Sequence, residues 1–474
     1  MRATLTQTSR GQQPTRTGAA ASGRGTVVII GGGFGGTLAT WALRGVADRI
    51  VVVERDHYPT QSDFRPGVPQ ARHAHLLLES GHRLLEGMMP GIRDELLAAG
   101  AVKVAMSREL RWLTSAGWMA DYDSDLSFLS CTRPLLDHVV RSRLHAESTM
   151  RVVDGREVRS LDGTEVTFLE AAEVVGLLGS PRAVTGVRIR RRGSLEEMVE
   201  HAELVVDASG RTSRISDWLD ELGCAPIPEE CVDPGIVYIS RLYRRRPDDD
   251  LGFRALYLQT SATNPRTGSM LPVEGDRWLV SLGGMRGYEP QRGDDGFEKM
   301  LEQLRDPTLR EALRTTEPVS TARIFRPGPG IRRHLERGTP DGLIGFADAA
   351  ASFDPVWGQG MSVAVRGAQE LRAAVLRHGG IGHATARAAR KAITASQADA
   401  WLMSSSEDAR FPATKGGPSA ALTSLLHPFI NRVLDRATTN VRVTHAFHEV
   451  MSLVAPPTTL LRPRILASIL IGRR

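Results

Sequence analysis

Lysine is nearly absent from this chain, occurring only at positions 103, 299, 391 and 415. The positive side of the +6 net charge is therefore almost all arginine, scattered among acids, and no aromatic platform accompanies the short basic runs at 190–192 and 244–246. A nucleic-acid surface gathers its basic residues on one face, so no nucleic-acid partner is expected. Cysteine is as scarce. Cys131, Cys224 and Cys231 have neither metal-ligand spacing nor the density of a disulfide scaffold, which predicts inert thiols in a reducing cytoplasm and no metal. No apolar run approaches the roughly 20 residues of a membrane span, so no transmembrane segment is expected.

What is present is ordinary in bulk: 474 residues, 41% hydrophobic and 24% charged, enough for two or three domains with a large core. Residues 1–24 are polar and should be disordered. Residues 460–474 alternate apolar groups with Arg462, Arg464, Arg473 and Arg474; they read first as a packing helix with solvated arginines, second as a helix lying on a membrane surface.

The most specific stretch is 26–36, Thr-Val-Val-Ile-Ile-Gly-Gly-Gly-Phe-Gly-Gly. Residues 27–30 read as a buried strand, Gly31, Gly33 and Gly36 fit G-x-G-x-x-G, and 37–47 has helical composition. The three glycines serve different ends. Gly31 makes a tight turn, Gly33 admits a pyrophosphate to the backbone, and Gly36 brings helix against strand. The pyrophosphate would sit on a helix N-terminus, where unpaired N–H groups favour negative charge. Residues 50–53 form the next strand, and Glu54 at its end can accept hydrogen bonds from both ribose hydroxyls. An acid there disfavours a 2′-phosphate and favours FAD or NAD over NADP. The glycines at 380–382 follow a helical stretch and read as a helix cap and turn.

Two more motifs follow. In 204–214 an apolar strand ends in Asp207 before a small-residue turn. In 342–361 a buried strand delivers Asp348 to its C-terminal end, and a loop bearing Asp354 and Pro355 leads to the glycine-rich helix start Gly358-Gln359-Gly360-Met361. An acid at the place of Asp348 can hold a sugar-alcohol hydroxyl, and a helix N-terminus beside it can stabilise an anionic ring. Between the motifs, helical patterning at 74–89 and 134–145 alternates with strand-like pieces at 110–114, 118–121, 126–130, 152–158, 172–178, 183–190 and 198–207. The pieces at 236–243, 255–259, 269–273 and 278–282 predict a separate sheet with one face free to line a pocket. After Met361 the chain reads as nearly all helix.

In the order and spacing of these three motifs, over about residues 25–378, the chain resembles the single-component FAD monooxygenases of the para-hydroxybenzoate hydroxylase type. The resemblance implies an α/β fold: a Rossmann-like FAD-binding domain (25–100, 131–220, 318–378) interleaved with a mainly β substrate domain (101–130, 221–317), then C-terminal helices (379–474). It implies that Gly31, Gly33, Phe34, Gly35, Gly36, Glu54 and Arg55 hold the dinucleotide end of FAD and that Asp207 serves both FAD and NAD(P)H. It also implies that Asp348 binds the ribityl chain and that Pro355, Gly358, Gln359, Gly360 and Met361 approach the isoalloxazine. The runs 65–75, 130–137 and 354–361 look closest to flavin epoxidases of bacterial polyether antibiotic pathways, with Arg65 and Arg133 near the flavin phosphates or ring and His73 and His75 as packing or cap residues.

The implied reaction uses NAD(P)H and O2 to place one oxygen atom on a sizeable apolar substrate, with the flavin as oxidant and no residue as nucleophile. Alkene epoxidation in polyketide or related secondary metabolism is expected because no motif specifies a base for ionising a phenol. Aromatic hydroxylation, or a reductase or halogenase of the same superfamily, is the alternative; the Trp-x-Trp-x-Ile signature of tryptophan halogenases is missing. Leu256, Leu258, Met270, Leu271, Trp278 and Leu279 could line the pocket or form core on the opposite face. Ala347, where glycine is usual, should matter only for local crowding. Asp354, where a neutral residue is common, must either turn outward or have its pKa raised.

Overall fold

The computed structural model describes residues 24–153, 156–246 and 251–471. The leader expected at 1–24 lies outside these residues except for Arg24, as do Arg473 and Arg474. Five strands of a seven-stranded sheet run parallel in the order Leu343–Gly345, Leu204–Asp207, Thr26–Ile30, Arg49–Val53, Thr164–Leu169, and an antiparallel pair, Arg156–Leu161 and Thr149–Val153, closes one edge. Val27, Val28, Ile29, Ile50 and Val52 are fully buried, as continuous apolar runs require in a sheet covered on both faces. Helices Phe34–Leu43 and Gly360–His378 pack together against it, and an antiparallel three-stranded sheet (Ala172–Ser180, Ala183–Arg191, Glu197–His201) lies beside it. This is the expected mixed α/β architecture, with the C-terminal ends of strands 26–30, 49–53, 204–207 and 343–345 gathered at one edge.

A second seven-stranded sheet runs Arg323–Phe325, Val237–Arg244, Arg277–Gly284, Arg266–Val273, Ala255–Leu258, Leu110–Thr114, Gly117–Trp118. Side chains alternate across it with period two. Ile239, Leu256, Leu258, Met270, Trp278, Val280 and Leu282 belong to a core with Phe297, Met300 and Leu309 of the helices Gly293–Glu302 and Thr308–Leu313. The opposite face carries Ser269, Leu271, Tyr257 and Trp112. Of the six apolar candidates for a pocket wall, Leu271 alone faces the cleft described below.

Several element boundaries differ from expectation, the shortest being 118–121, of which only Trp118, within Gly117–Trp118, is strand. Residues 152–158 are not one strand: Thr149–Val153 and Arg156–Leu161 pair antiparallel, and an apolar run alone does not show where a strand reverses. Residues 198–207 are two strands in two sheets, because at Ala202 and Glu203 the chain leaves the Thr185 carbonyl for that of Thr26; an uninterrupted strand-like run conceals the step. Residues 76–78 are strand rather than helix, paired to Ser130, Leu129 and Phe128, and the helix begins only at Glu79. Beyond Met361 the chain is helical except for Lys415–Gly416 and the short connections between helices, and Gly379, at φ 73°, caps the helix Gly360–His378. In the C-terminal segment, Leu460 and Ile469 are buried against Val433, Leu434 and Phe447, as the packing reading expects. No helix among the described residues is long and apolar enough to cross a membrane. Cys131 is buried, Cys224 half-buried and Cys231 exposed, all as free thiols.

Candidate active site

The glycine loop separates structural from site-facing positions. Gly31 has φ 91°, and a Cβ there would lie 2.8 Å from the Ala208 carbonyl oxygen, so its left-handed turn is closed to other residues. A Cβ on Gly36 would overlap the Gly31 carbonyl oxygen, so the helix can start this close to the strand only with glycine there. A Cβ on Gly33 would meet nothing nearer than Arg65 Nη2 at 3.5 Å; this backbone faces open space.

Glu54, 4% exposed, accepts the amide of Gly32 at 2.8 Å on Oε2 and that of Asp56 at 2.9 Å on Oε1. The Arg65 guanidinium lies 2.9 Å from the same Oε2 and is pulled both ways: burial disfavours its charge, and Glu54, with Asp137 and Tyr58, more than restores it, leaving the pKa raised. Each carboxylate oxygen has a second lone pair, so Glu54 retains acceptor capacity toward a ribose. Arg133 ties its Nε to Asp137 at 2.7 Å and stands over the Phe34 ring.

At the other end of the same cleft the Asp348 carboxylate has no hydrogen-bond partner among the described residues, and a Cβ on Gly360 would come 3.9 Å from its Oδ1. The first turn of the 19-residue helix Gly360–His378 therefore stands beside an unpaired acid. Gln359, preceding that helix, is 1% exposed and both its amide oxygen and its amide nitrogen lack partners. A buried amide costs several kcal/mol unless something pairs with it, so this side chain points to a ligand with polar edges. Ala347 is in the left-handed region, at φ 51°. The alanine thus costs more than crowding, since a Cβ in that conformation is itself strained.

Asp354 turns inward. Its Oδ1 accepts the Tyr238 hydroxyl at 2.7 Å and the Val356 amide at 3.0 Å, and it is 4% exposed. Burial raises its pKa against the pull of those bonds and of Arg211, so of the two expected outcomes the structure has the raised pKa. His73 Nδ1 lies 2.7 Å from Ser240 Oγ, within hydrogen-bond distance, and His75 Nδ1 lies 2.8 Å from the His73 carbonyl. Burial, aided by His75 and Arg72 around the first and by Arg133 near the second, lowers both to about 3; both rings are neutral at physiological pH.

All of these line or adjoin one cleft of about 640 Å³, within the range of small-molecule sites. Of the residues singled out from sequence, Gly31, Gly33, Phe34, Gly35, Glu54, Arg55, Arg65, Arg133, Asp348, Pro355, Gly358, Gln359, Gly360 and Met361 are brought together there, and Gly36 and Asp207 are not. Asp207 is fully buried. Its carboxylate accepts Ser209 N at 2.9 Å and both the Ser209 and Ser213 hydroxyls, so it holds the turn 208–212 against the cleft rather than reaching in.

Sequence reasoning missed the floor. Ser240, Ser281, Ser269, Tyr257 and Trp112 are successive cross-strand partners over five strands, making a ledge of small hydroxyls that ends in two rings 5.4 Å apart. Ser240 Oγ is 2.6 Å from Ser281 Oγ, linking the ledge to His73. Beyond it Met106, Leu110, Phe128, Leu271 and Met451 give an apolar end. Only strand register reveals such a row, and no single stretch encodes it. Among the described residues no cluster of His, Cys, Asp or Glu could hold a metal ion.

Residues 26–237 match the family described as FAD binding domain. A Mycobacterium tuberculosis protein, Rv3254, is 28% identical over 404 residues, covering 83% of this chain and 82% of its own. Among solved structures the chain is similar to the flavin-dependent brominase Bmp2 (TM-score 0.59, 16% identity, 87% of this chain and 92% of that one). It is similar also to p-nitrophenol 4-monooxygenase PnpA from Pseudomonas putida DLL-E4 (TM-score 0.58, 15% identity, 92% and 98%). The likenesses to these solved structures establish a shared fold.

Proposed function

We propose that this chain is an FAD-dependent monooxygenase that uses NAD(P)H and O2 to insert one oxygen atom into a sizeable, largely apolar substrate. The observation that carries the reading is the continuity of the cleft: glycine loop and Glu54 at one end, Asp348, Gln359 and a helix N-terminus in the middle, and a sheet face with an apolar end beyond. The residues fit the coenzyme. Gly33 offers an open backbone approach for the pyrophosphate, the unpaired Asp348 carboxylate suits a polyhydroxyl chain, and the orphaned Gln359 amide suits a ring edge carrying both donors and acceptors.

Bound FAD supplies the redox chemistry, accepting two electrons from NAD(P)H and activating O2. The chain's own residues do the rest. The first turn of Gly360–His378 would turn its positive dipole end toward the negative charge of a reduced ring held beside it. His73, buried, and His75, half-buried, are both neutral and add polar contacts without adding charge. Trp112, Phe128, Leu271 and Met451 hold the apolar body of the substrate and exclude water from it.

The sequence favours epoxidation for want of a visible base. Tyr238 backed by Asp354 in the cleft removes that ground, and this pair together with the hydroxyl ledge favours a second reading, hydroxylation of an aromatic ring. The folds of brominase and monooxygenase neighbours alike are compatible with the cleft, so product analysis decides. Purified protein reconstituted with FAD should turn yellow, oxidise NAD(P)H faster with substrate present, and transfer label from ¹⁸O2 into product. A colourless protein after reconstitution refutes the cofactor. Reduced-coenzyme oxidation with no label in product refutes the monooxygenase, and an epoxide against a phenol product separates the two finer readings. Asp348→Ala should weaken FAD retention far more than folding, and unchanged affinity by titration refutes its role.

A further inference from the structure

Asp408, in the C-terminal helix His383–Asp408, belongs to no motif, yet it is fully buried against Asp354 at the cleft wall. Its Oδ1 accepts the Trp357 indole N–H at 3.2 Å. Asp354 Oδ1 is occupied by Tyr238 and Val356. The Oδ2 atoms of both aspartates are buried and without a hydrogen-bond partner among the described residues, and the two carboxyls are near enough to influence each other's ionisation, with Trp357, three residues on from Asp354, donating to Asp408. Two ionised carboxylates cannot share such a site; one proton between them satisfies both. Tyr238 and Asp354 line the cleft and Asp408 does not, which sets the three in sequence from cleft to interior. The Tyr238 hydroxyl donates inward to Asp354, leaving the lone pairs of its oxygen for a donor in the cleft.

We propose that Asp354 and Asp408 hold one proton between them and, through the Tyr238 hydroxyl, take up a second proton released in the cleft and later return it. The transfer balances within the three side chains. A cleft donor's proton bonds to the Tyr238 oxygen as the tyrosine's own proton passes to Asp354, so the pair goes from one negative charge to none, which burial favours. No electrons move, and the reverse hop restores the starting state. Other ionisable groups facing the pair are few: the Arg211 guanidinium favours its negative charge, whereas Glu407 and the Tyr257 phenol oppose it. Burial raises both aspartates, and the Asp354 charge raises Asp408 further. Which molecule donates the proton rests on the proposed monooxygenase activity; the shared proton itself does not.

The test is infrared spectroscopy of the full chain, as purified and after FAD reconstitution, at neutral pH in H2O and D2O. Wild type should show the carbonyl stretch of one buried carboxylic acid that shifts in D2O. Asp354→Asn and Asp408→Asn should each shift its frequency, because the remaining acid no longer shares its proton with a carboxylate, and Tyr238→Phe should keep it but exchange its proton for deuterium more slowly. Absence of the band in wild type overturns the proposal. An unshifted band in Asp354→Asn means Asp408 is a solitary neutral acid and overturns the sharing, and an unchanged exchange rate in Tyr238→Phe overturns the route. A purely structural pair would give the last result. If an asparagine variant fails to fold, wild type against Tyr238→Phe still decides. A band in protein that stays colourless with FAD would sink the flavin reading and leave this one standing.

Discussion

Two glycines three residues apart should respond in opposite ways to the same substitution. A Cβ at Gly33 meets only the end of the Arg65 side chain, at 3.5 Å, an ordinary contact that a flexible guanidinium can relieve. Gly33→Val should therefore change folding stability by no more than about 1 kcal/mol. The branched side chain then fills the space a pyrophosphate needs. If two backbone N–H bonds to phosphate are lost at about 1.5–3 kcal/mol each, FAD affinity falls by roughly 10²–10⁴-fold. At Gly36 the same Cβ overlaps the Gly31 carbonyl oxygen, which strand and turn fix in place. Even Gly36→Ala must push helix from strand, at a cost of about 1–3 kcal/mol or more. Thermal melts paired with an FAD titration, followed by flavin fluorescence, separate the two. A Gly33→Val protein with wild-type FAD affinity, or a Gly36→Ala protein with a wild-type melt, would refute the division of labour.

Ala347→Gly should stabilise the fold by about 0.5–1 kcal/mol, because relief of a left-handed Cβ at φ 51° exceeds the entropy glycine adds to the unfolded chain; a lower melting temperature would contradict it. Glu79, 3% exposed, accepts the Ser127 amide at 2.7 Å and the Ser127 hydroxyl at 2.8 Å, and lies 3.1 Å from His82 Nε2. Burial pushes its carboxyl up, but the bonds from His82 and Ser127 win and hold it at about 2 against an ordinary 4.5. Being depressed in the folded state, it contributes about 3 kcal/mol above pH ~4.5, lost as the pH falls toward about 2. Glu79→Gln should lose that amount at neutral pH and flatten acid denaturation between these values; an unchanged acid limb in chemical denaturation would count against it. A chelator should leave turnover of reconstituted protein intact, and inhibition that added metal reverses would reveal a metal site.

What the sequence made legible was whatever lies contiguous in the chain. Gly31, Gly33 and Gly36 are read from one turn because their work is done within that turn, and Asp348 and Gly358 to Met361 from one strand–loop–helix unit. The parallel strands are readable because burial on both faces makes continuous apolar runs of 27–30, 50–53 and 204–206. The same continuity misleads at 198–207, where two strands of different sheets follow each other without a turn signal. The motif ending in Asp207 is legible too, but only the folded arrangement distinguishes an acid that reaches a ligand from one that holds a turn through Ser209 and Ser213.

The second sheet explains why substrate chemistry resists such reading. In Val237–Arg244, Ile239 goes to the core while Tyr238 and Ser240 go to the other face; in Arg266–Val273, Met270 packs inward while Ser269 and Leu271 look into the cleft. Hydropathy ranks Ile239, Met270 and Leu271 alike, and only register assigns the last to the site. Asp354 and Asp408 lie far apart in the chain, on a loop and a helix end that only the packed fold brings together. Asp408 alone carries no signal, and Asp354, although marked as an acid to be turned outward or neutralised, says nothing of its partner, since an acid near a proline turn is commonly a cap, as Asp354 also is toward Val356. The chemistry proposed for the pair arises from desolvation and proximity together, two quantities that a linear pattern of residue types does not encode. It follows that substitutions reaching the cleft from the C-terminal helices should alter the proton behaviour of the site while leaving its glycine loop and coenzyme affinity untouched, and Asp408→Asn is the variant in which the two readouts should part.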